Sequence, residues 1–359
     1  MKLSVNWLLG FIPVAVALEH AGAPAPWVFF AAAAAIVPIA SLIVRATEHI
    51  ATYTGDAVGG LLNATFGNAP ELIIAIVALR AGLLDMVRAS LIGAILANLL
   101  LALGVAFLLG GLRFRDQTYN AGAARLYSSM MLIAVISLMV PSSFSRFFGA
   151  GETIHEETLL NVGLAVVLLA AYALYLFFML GTHPDFFRAE GEKEEHHGAR
   201  WSLPRAVASL VAASVLAAWM SEILVGAAEG TGRALGMSQV FIGIVFLAIV
   251  GGAAESGSAI AMALRNKVDL AVGIALGSCI QIALFVAPVL VLASYFVAPR
   301  PLELSFSRPE IGSLFMAVLI GAMVAGDGRS NWYKGVQLVT VYLVIALMFY
   351  FIPELASGK

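Results

Sequence analysis

Charge and sulfur are both scarce in this chain. Only 12% of its 359 residues are Asp, Glu, Lys or Arg, against 61% apolar, and the mean hydropathy is +0.95. Cys279 is the single cysteine, so no intrachain disulfide and no cysteine metal cluster can form, which argues against redox chemistry. The six histidines, His20, His49, His155, His183, His196 and His197, fall in or near loops, and no HExxH is present. A membrane-embedded hydrolase of the zinc kind therefore has no support, and the chain is read as a non-enzyme. A net charge of -2 offers no basic surface for nucleic acid. The short alternating segments of a membrane β-barrel are missing too, since AAAAAIVPIASLIV and LAVVLLAAYALYLFFML are continuously apolar.

What is present is a succession of apolar runs of helix-spanning length. A hydrocarbon core of about 30 Å needs about 20 helical residues to cross it. That ruler divides the chain into eleven candidate spans near residues 5–20, 27–45, 50–80, 84–110, 120–140, 156–180, 204–230, 237–264, 268–294, 309–326 and 333–353. The expected fold class is an all-α polytopic membrane protein with eleven transmembrane helices, embedded in a lipid bilayer. The opening MKLSVNWLLGFIPVAVALEHAGAPAP reads as a first span that stays, although Lys2, the apolar stretch and AGA also resemble the regions of a signal peptide. With the N-terminus cytoplasmic, thirteen Lys and Arg fall on that side and seven on the other, which favours N-in and C-out.

Sliding the chain along itself by 184 residues superposes Gly67 on Gly251, Ala69 on Ala253, Glu71 on Glu255, Asp85 on Asp269 and Gly93 on Gly277 without a gap. Five spans separate the two starts, an odd number, so the second copy enters the membrane from the opposite side. The expected organisation is a first helix at 1–25, a five-helix repeat at 26–180, a charged cytoplasmic linker at 181–203 and an inverted five-helix repeat at 204–359. Inverted halves whose helices are interrupted at matching places form a recurring transporter plan, with the site at the midplane between them. Gly67, Asn68 and Pro70 in one copy, and Gly251 and Gly252 in the other, are poor residues for a helix interior.

Each interruption is followed by a carboxylate, Glu71 in GNAPELIIAIVAL and Glu255 in GGAAESGSAIAMAL. A charge at a helix centre costs about 2.5 to 3.5 kcal/mol on insertion scales, so two of them need a reason. One is that each is protonated, or hydrogen-bonded to Asn68 or Ser256, and joins helices. The other is that the pair holds either one divalent cation or protons: both loaded states are neutral and cross a low-dielectric region, while the empty dianion does not. Ca2+ takes six to eight oxygens in a flexible cage. The candidate ligands are Glu71, Glu255, Asn68, Ser256, Gln281 and the backbone carbonyls freed at Gly67 and Gly251, with Glu71 and Glu255 also coupling protons. Mg2+, which holds its water tightly, is the poorer cargo.

Glu48, Glu222, Asn98 and Ser278 are candidates for a cation path, though acids at helix ends are ordinarily just solvated. Glu229 and Asp56 carry less. Helix capping or a surface ion pair accounts for Asp85 near Arg88 and Asp269 near Lys267. In the linker, His196 and His197 suggest a regulatory metal, and Glu190, Glu192, Glu194 and Glu195 a calcium sensor, against the plainer reading of a solvated loop. No cofactor is expected.

The stretches GGLLNATFGNAPELIIAIVALRAG at 59–82, SEILVGAAEG at 221–230 and FIGIVFLAIVGGAAESGSAIAMALRNKVDLAVGIALGSCIQIALFVAP at 241–288 resemble the calcium/proton exchangers of the calcium/cation antiporter superfamily. The resemblance implies that the glutamates of the family's two repeat motifs fall on Glu71 and Glu255, and that a proton gradient drives Ca2+ out of the cytoplasm. The short N-terminus leans to a prokaryotic plasma membrane over an organelle. One motif departs: where the family's second copy usually reads GNAAEH, this chain has GGAAES, with Gly252 and Ser256 in place of Asn and His. That departure keeps a Na+ or K+/proton antiporter of the same fold as the alternative, with a membrane-embedded enzyme as a remote third; a passive channel is a further rival, since carboxylate rings also select cations.

Overall fold

The structure, a computed structural model, describes residues 5–54, 56–148, 154–186 and 201–352. The linker residues Glu190, Glu192, Glu194, Glu195, His196 and His197 lie outside these. A 3-10 turn at Val5–Gly10 leads into α1 (Phe11–His20), followed by α2 (Ala25–Thr54), α3 (Asp56–Phe66), α4 (Ala69–Arg80) and α5 (Leu84–Leu96). A π-helical stretch, Ala97–Ala102, joins α5 to α6 (Leu103–Phe114), and β1 (Asp116–Thr118), α7 (Ala121–Phe148) and α8 (Ile154–Phe177) complete the first half. The second half has α9 (Leu203–Leu235), then α10 (Gln239–Phe241) and α11 (Ala248–Gly251) joined through π-helical Ile242–Leu247. It continues with α12 (Ala253–Ala263), α13 (Val268–Gln281), π-helical Ile282–Val286, α14 (Ala287–Val297), α15 (Arg308–Ala325), β2 (Arg329–Asn331) and α16 (Trp332–Phe351).

Eight helical stretches are long and apolar enough to cross a membrane, and Gln239–Gly251 with Ala253–Ala263, bent by 58°, makes a ninth among the described residues. Two of the eleven expected spans fall short of that measure. The first is divided, with only ten residues in α1. The third loses residues 50–54 to α2, which continues through Thr52 and Thr54 because their hydroxyls bond back to the carbonyls of His49 and Ala51 at 2.8 and 3.1 Å. Its remainder is split by a turn at Gly67 and Asn68. Pro70 is tolerated just after that turn, in the first turn of α4, where no intrahelical donor is missed.

The repeat is carried into three dimensions almost residue for residue. A shift of 184 places the starts of α4, α5 and α6 on those of α12, α13 and α14, and lays one π-helical stretch over the other. Cys279 Sγ lies 3.5 Å from the carbonyl oxygen of Ile95, a residue separated from it by that same 184 positions. Equivalent residues touch only beside the local twofold, so α5 and α13 cross at the pseudo-symmetry axis, and the buried core is gathered around them. Glycines let helices approach there and further out: Gly335 of α16 faces the backbone of Leu108 and Gly104, and Gly111 faces that of Trp332.

The loop after α14 buries alternate residues while Pro299, Arg300, Pro301 and Glu303 stay exposed. Leu302, Leu304 and Phe306 point inward, and their backbone N–H groups donate to Ser294 Oγ, Asn161 Oδ1 and Ser142 Oγ at 2.8, 3.0 and 2.8 Å. Those three side chains satisfy donors that an apolar interior would otherwise strand. At the opposite end of the bundle β1 pairs antiparallel with β2, and Gln117 donates to the Ala263 carbonyl and Asn266 Oδ1, tying the first half to the end of α12. After the linker, Trp201 stacks on His49 at 4.6 Å and accepts a hydrogen bond from Tyr53 on its carbonyl, pinning the start of α9 to the end of α2.

The two halves differ in one respect that bears on function. The Ile242–Leu247 stretch packs closely along α5, where a Cβ on Gly93 would collide with the backbone of Ile244 and one on Gly243 would come within 2.6 Å of the Met86 oxygen. Its counterpart α3 lies against α2 and has no comparable packing on α13 among the described residues. Gly277, the repeat partner of Gly93, faces open space.

Gly93→Ala is accordingly expected to lower thermal stability in detergent by about 1 to 3 kcal/mol, the usual penalty of overpacking, whereas Gly277→Ala leaves it unchanged or slightly raised. A second expectation concerns Asp327, in the turn before β2. Burial opposes its ionisation, but Lys334 Nζ at 2.6 Å from both oxygens and the Arg329 N–H at 3.1 Å outweigh that and hold the carboxyl below its usual range. A depressed folded value gives stability that is present above the unfolded carboxylate pKa, about 4, and lost as pH falls through the lower one. Lys334→Met therefore removes a small acid-side slope in Tm between about pH 3 and pH 5, read by thermal unfolding across that range; the 56% exposure of Asp327 keeps the effect small.

Candidate functional site

Both glutamates sit in the first turn of a helix that restarts after a break, Glu71 in α4 and Glu255 in α12. This is the positive end of the helix dipole, which favours a carboxylate. Asn68 and Glu71 have the spacing of a capping box, yet Asn68 makes no side-chain cap. Its Nδ2 donates instead to Gln281 Oε1 at the end of α13. That leaves Asn68 Oδ1 and both carboxylate oxygens of Glu71 buried without a hydrogen-bond partner among the described residues.

Glu71 reaches across to the other half. A Cβ on Gly251 would stand 3.0 Å from Glu71 Cγ and 3.5 Å from its carboxyl carbon, so the side chain lies over the second break and a glycine there makes room for it. Beside Glu71, Ser90, Leu247 and Ile282 close a cavity of about 20 Å³, space for about one water molecule. Glu255 accepts a hydrogen bond from Ser278 Oγ of α13. Asn98, in the π-helical turn after α5, is 1% exposed and faces Gly252.

A buried polar group left unpaired costs about 1 to 3 kcal/mol, and a charged one more. Asn68 Oδ1 and the two Glu71 oxygens carry that cost unless a proton, a water or a cation answers them. The donor set of carboxylates, carboxamides and a hydroxyl suits a hard, oxygen-seeking ion. Among the described residues no group of three or more His, Cys, Asp and Glu gathers to hold a metal ion of any kind.

The expected residues divide clearly. Glu71, Asn68, Gln281 and Gly251 come together, as do Glu255 with Ser278 and Gly252 with Asn98. Gly67 forms the first turn. Ser256 is half-buried on α12 and its hydroxyl makes no hydrogen bond to either glutamate. The outer acids stand apart from the cluster. Glu48 is exposed near the end of α2, and Glu222 lines a separate cleft of about 290 Å³ with Arg80 and Val77. Glu229 pairs with Arg233 at 3.3 Å, and Asp85 with Arg88. Asp269 accepts the Asn120 N–H at 2.6 Å instead of meeting Lys267. The side chain of Asp56 lies outside the described residues. Sequence reasoning missed Ser90 and the contact of Ile95 with Cys279, which the 184-residue shift signals once it is applied to residues that need not be identical.

Helices long and apolar enough to cross a membrane, with two breaks among them, mark a polytopic membrane protein, and the family match makes its class that of membrane exchangers. The chain belongs to the sodium/calcium exchanger protein family, which matches residues 24–181 and 205–351. It is 38% identical to a Ca(2+)/H(+) antiporter of Aphanothece halophytica, over 96% of each chain. With the Ca(2+)/H(+) antiporter ChaA of Bacillus subtilis it shares 41% identity over 88% of this chain and 89% of that one. Among solved structures it is similar to native YfkE, with a TM-score of 0.83 and 36% identity, over 97% of this chain and 100% of the other. The H+/Ca2+ exchanger CAX, at 14% identity and a TM-score of 0.71 over 96% and 91%, shares the fold.

The Asn68–Gln281 bond is open to a double-mutant cycle. Asn68→Ala and Gln281→Ala are each destabilising, and the pair costs less than the sum by about 0.5 to 1.5 kcal/mol. Thermal unfolding of the four purified proteins reads that coupling, and strict additivity would deny the bond.

Proposed function

We propose that the protein exports Ca2+ from the cytoplasm in exchange for protons, with Glu71 and Glu255 as the shared carrier of both. The observation that carries this is Glu71 lying over Gly251 with both oxygens buried and unpartnered, so that a first-half carboxylate meets the second half's break. One Ca2+ between two carboxylates, or a proton on each, gives a neutral centre able to pass between the halves. The empty pair does not, and exchange is thereby favoured over leak. The names of the relatives in cyanobacteria and Bacillus support the ion pair, calcium against protons.

Alternating access is supported by the unequal packing of the halves. With the N-terminus cytoplasmic, as the Lys and Arg balance favours, α3 forms the cytoplasmic half of its span, and its loose fit to α13 opens the site that way. The tight fit of Ile242–Leu247 on α5 closes it toward the outside. In this reading the resting protein awaits Ca2+ from the cytoplasm of a prokaryotic cell, and the oppositely closed state forms when α3 takes up the packing that its counterpart now has.

The test is uptake of radioactive calcium into vesicles with an imposed pH gradient, for wild type, Glu71→Gln and Glu255→Gln, with Na+ as competitor. The wild type takes up Ca2+ as the gradient dissipates, and each variant falls to the level of empty vesicles. No Ca2+ movement with a gradient collapsed by Na+ would replace calcium by a monovalent cargo. Current without coupled proton movement would make the protein a channel.

A further inference from the structure

Aromatic side chains are unevenly divided between the two halves. Phe29 and Phe30 near the start of α2, Phe241 of α10 and Phe246 of the Ile242–Leu247 stretch are linked by edge-to-face contacts. Phe246 stands at the centre, its ring centroid 6.0 Å from that of Phe29, 5.5 Å from Phe30 and 6.0 Å from Phe241. Phe241 continues the series to Tyr350 of α16 at 5.4 Å. The rings therefore join α2, from the first half, to the broken span of the second.

The repeat has no such cluster on its other side. The shift of 184 puts Leu62 at the position of Phe246 and Ala57 at that of Phe241. From Leu203 to Ala218, where α9 answers to the start of α2, there is no aromatic residue. Edge-to-face pairs add to the burial they share and depend on orientation, so they are lost when the rings move apart.

The Ile242–Leu247 stretch is held from both directions. A Cβ on Gly243 would stand 2.6 Å from the Met86 oxygen and 3.2 Å from Ser90 N of α5, while Phe246 meets Phe29 and Phe30 of α2. Leu247, next to Phe246, closes the cavity beside Glu71 together with Ser90. A displacement of the stretch relative to α2 thus separates the rings and uncovers Ser90.

We propose that Phe246, with Phe29, Phe30 and Phe241, forms an aromatic latch that holds the Ile242–Leu247 stretch closed beside Glu71, and that opening the site on this side parts the latch. This rests on the alternating access proposed above and names the residues that bias it toward the closed arrangement described here. The first half, with Leu62 at the matching place, has no equivalent restraint. Phe246 does not line the Glu71 cavity, and so is a positioning residue.

The experiment reads access to Ser90. Ser90→Cys is introduced into the otherwise unchanged chain, whose own Cys279 is 1% exposed, and its rate of modification by a charged methanethiosulfonate is measured on the purified protein, with the wild type as blank. Adding Phe246→Leu raises that rate about ten- to a hundredfold, the scale of the edge-to-face pairs lost. Phe30→Leu, at a position 41% exposed and so tolerant of change, raises it less. Phe246→Tyr keeps the ring and leaves the rate near its starting value. Ser128→Cys, half-buried on α7, which packs on α8, α13 and α15, reports general loosening, and its rate stays the same in every background. Equal rates at Ser90→Cys with and without Phe246→Leu, or a rise that Ser128→Cys shares, would overturn the proposal and leave the rings as packing alone. The modification needs no transported ion, so a failure of calcium uptake in the vesicle assay bears on the cargo and not on the latch.

Discussion

A carboxylate that has left water must be neutralised, and that requirement organises this molecule. Glu71 reaches its place because a helix is broken and restarted just ahead of it, which puts its side chain at the positive end of α4 and over Gly251 of the opposite half. Among the described residues nothing answers its two oxygens. Had an arginine or a string of hydrogen-bond donors met them, the charge would be settled once and for all, and no ion would be needed. The unanswered oxygens keep the site dependent on what arrives from outside, which is the condition for carrying something.

The pseudo-twofold explains why each break is met by residues of the other half. Ile95 and Cys279 touch at the axis, and from there each break faces the other half's crossing helix: Asn68 meets Gln281 of α13, and Gly252 meets Asn98 beyond α5. The π-helical turns that follow α5 and α13 sit at these meeting points. Such turns are frequent at functional sites because an extra residue in the turn re-aims the side chains after it. A movement of one half therefore cannot leave the coordination of the other unchanged. Selectivity and conformational change share their residues.

Much of this was legible in the sequence because symmetry is a long-range signal that a single chain can carry. The shift that aligns Glu71 with Glu255 and Gly67 with Gly251 located the breaks, and the apolar runs gave the helices. What stayed hidden depended on partners that no local pattern encodes. Nothing in GNAPE says that Asn68 bonds to Gln281, which lies 213 residues away, rather than capping its own helix. Nothing in APRPLELSFS says that Leu304 and Phe306 turn inward, since their donors are met by Asn161 and Ser142 from distant helices. The helix ends misled for a related reason: Thr52 and Thr54, poor residues for a helix interior, bond to their own preceding turn and extend α2 into the expected third span. The acids set aside for a path, Glu48 and Glu222, looked alike by composition, and only their exposure separates them from the cluster.

The two glutamates are equivalents in sequence but not in surroundings. Ser278, which donates to Glu255, has Ala94 as its counterpart, and Gln281 has Ala97. The hydrogen-bonding partners of the site are thus concentrated on α13, while α5 brings only Ser90, whose hydroxyl bonds to its own Val87 carbonyl, and its following turn Asn98. Glu255 is anchored by a hydroxyl, and Glu71 is held by packing across Gly251. A perfectly symmetric site would hold its ion equally in both directions and would gain nothing from knowing which half was closed. Glu255 thus has a hydroxyl partner, whereas the two oxygens of Glu71 have none among the described residues.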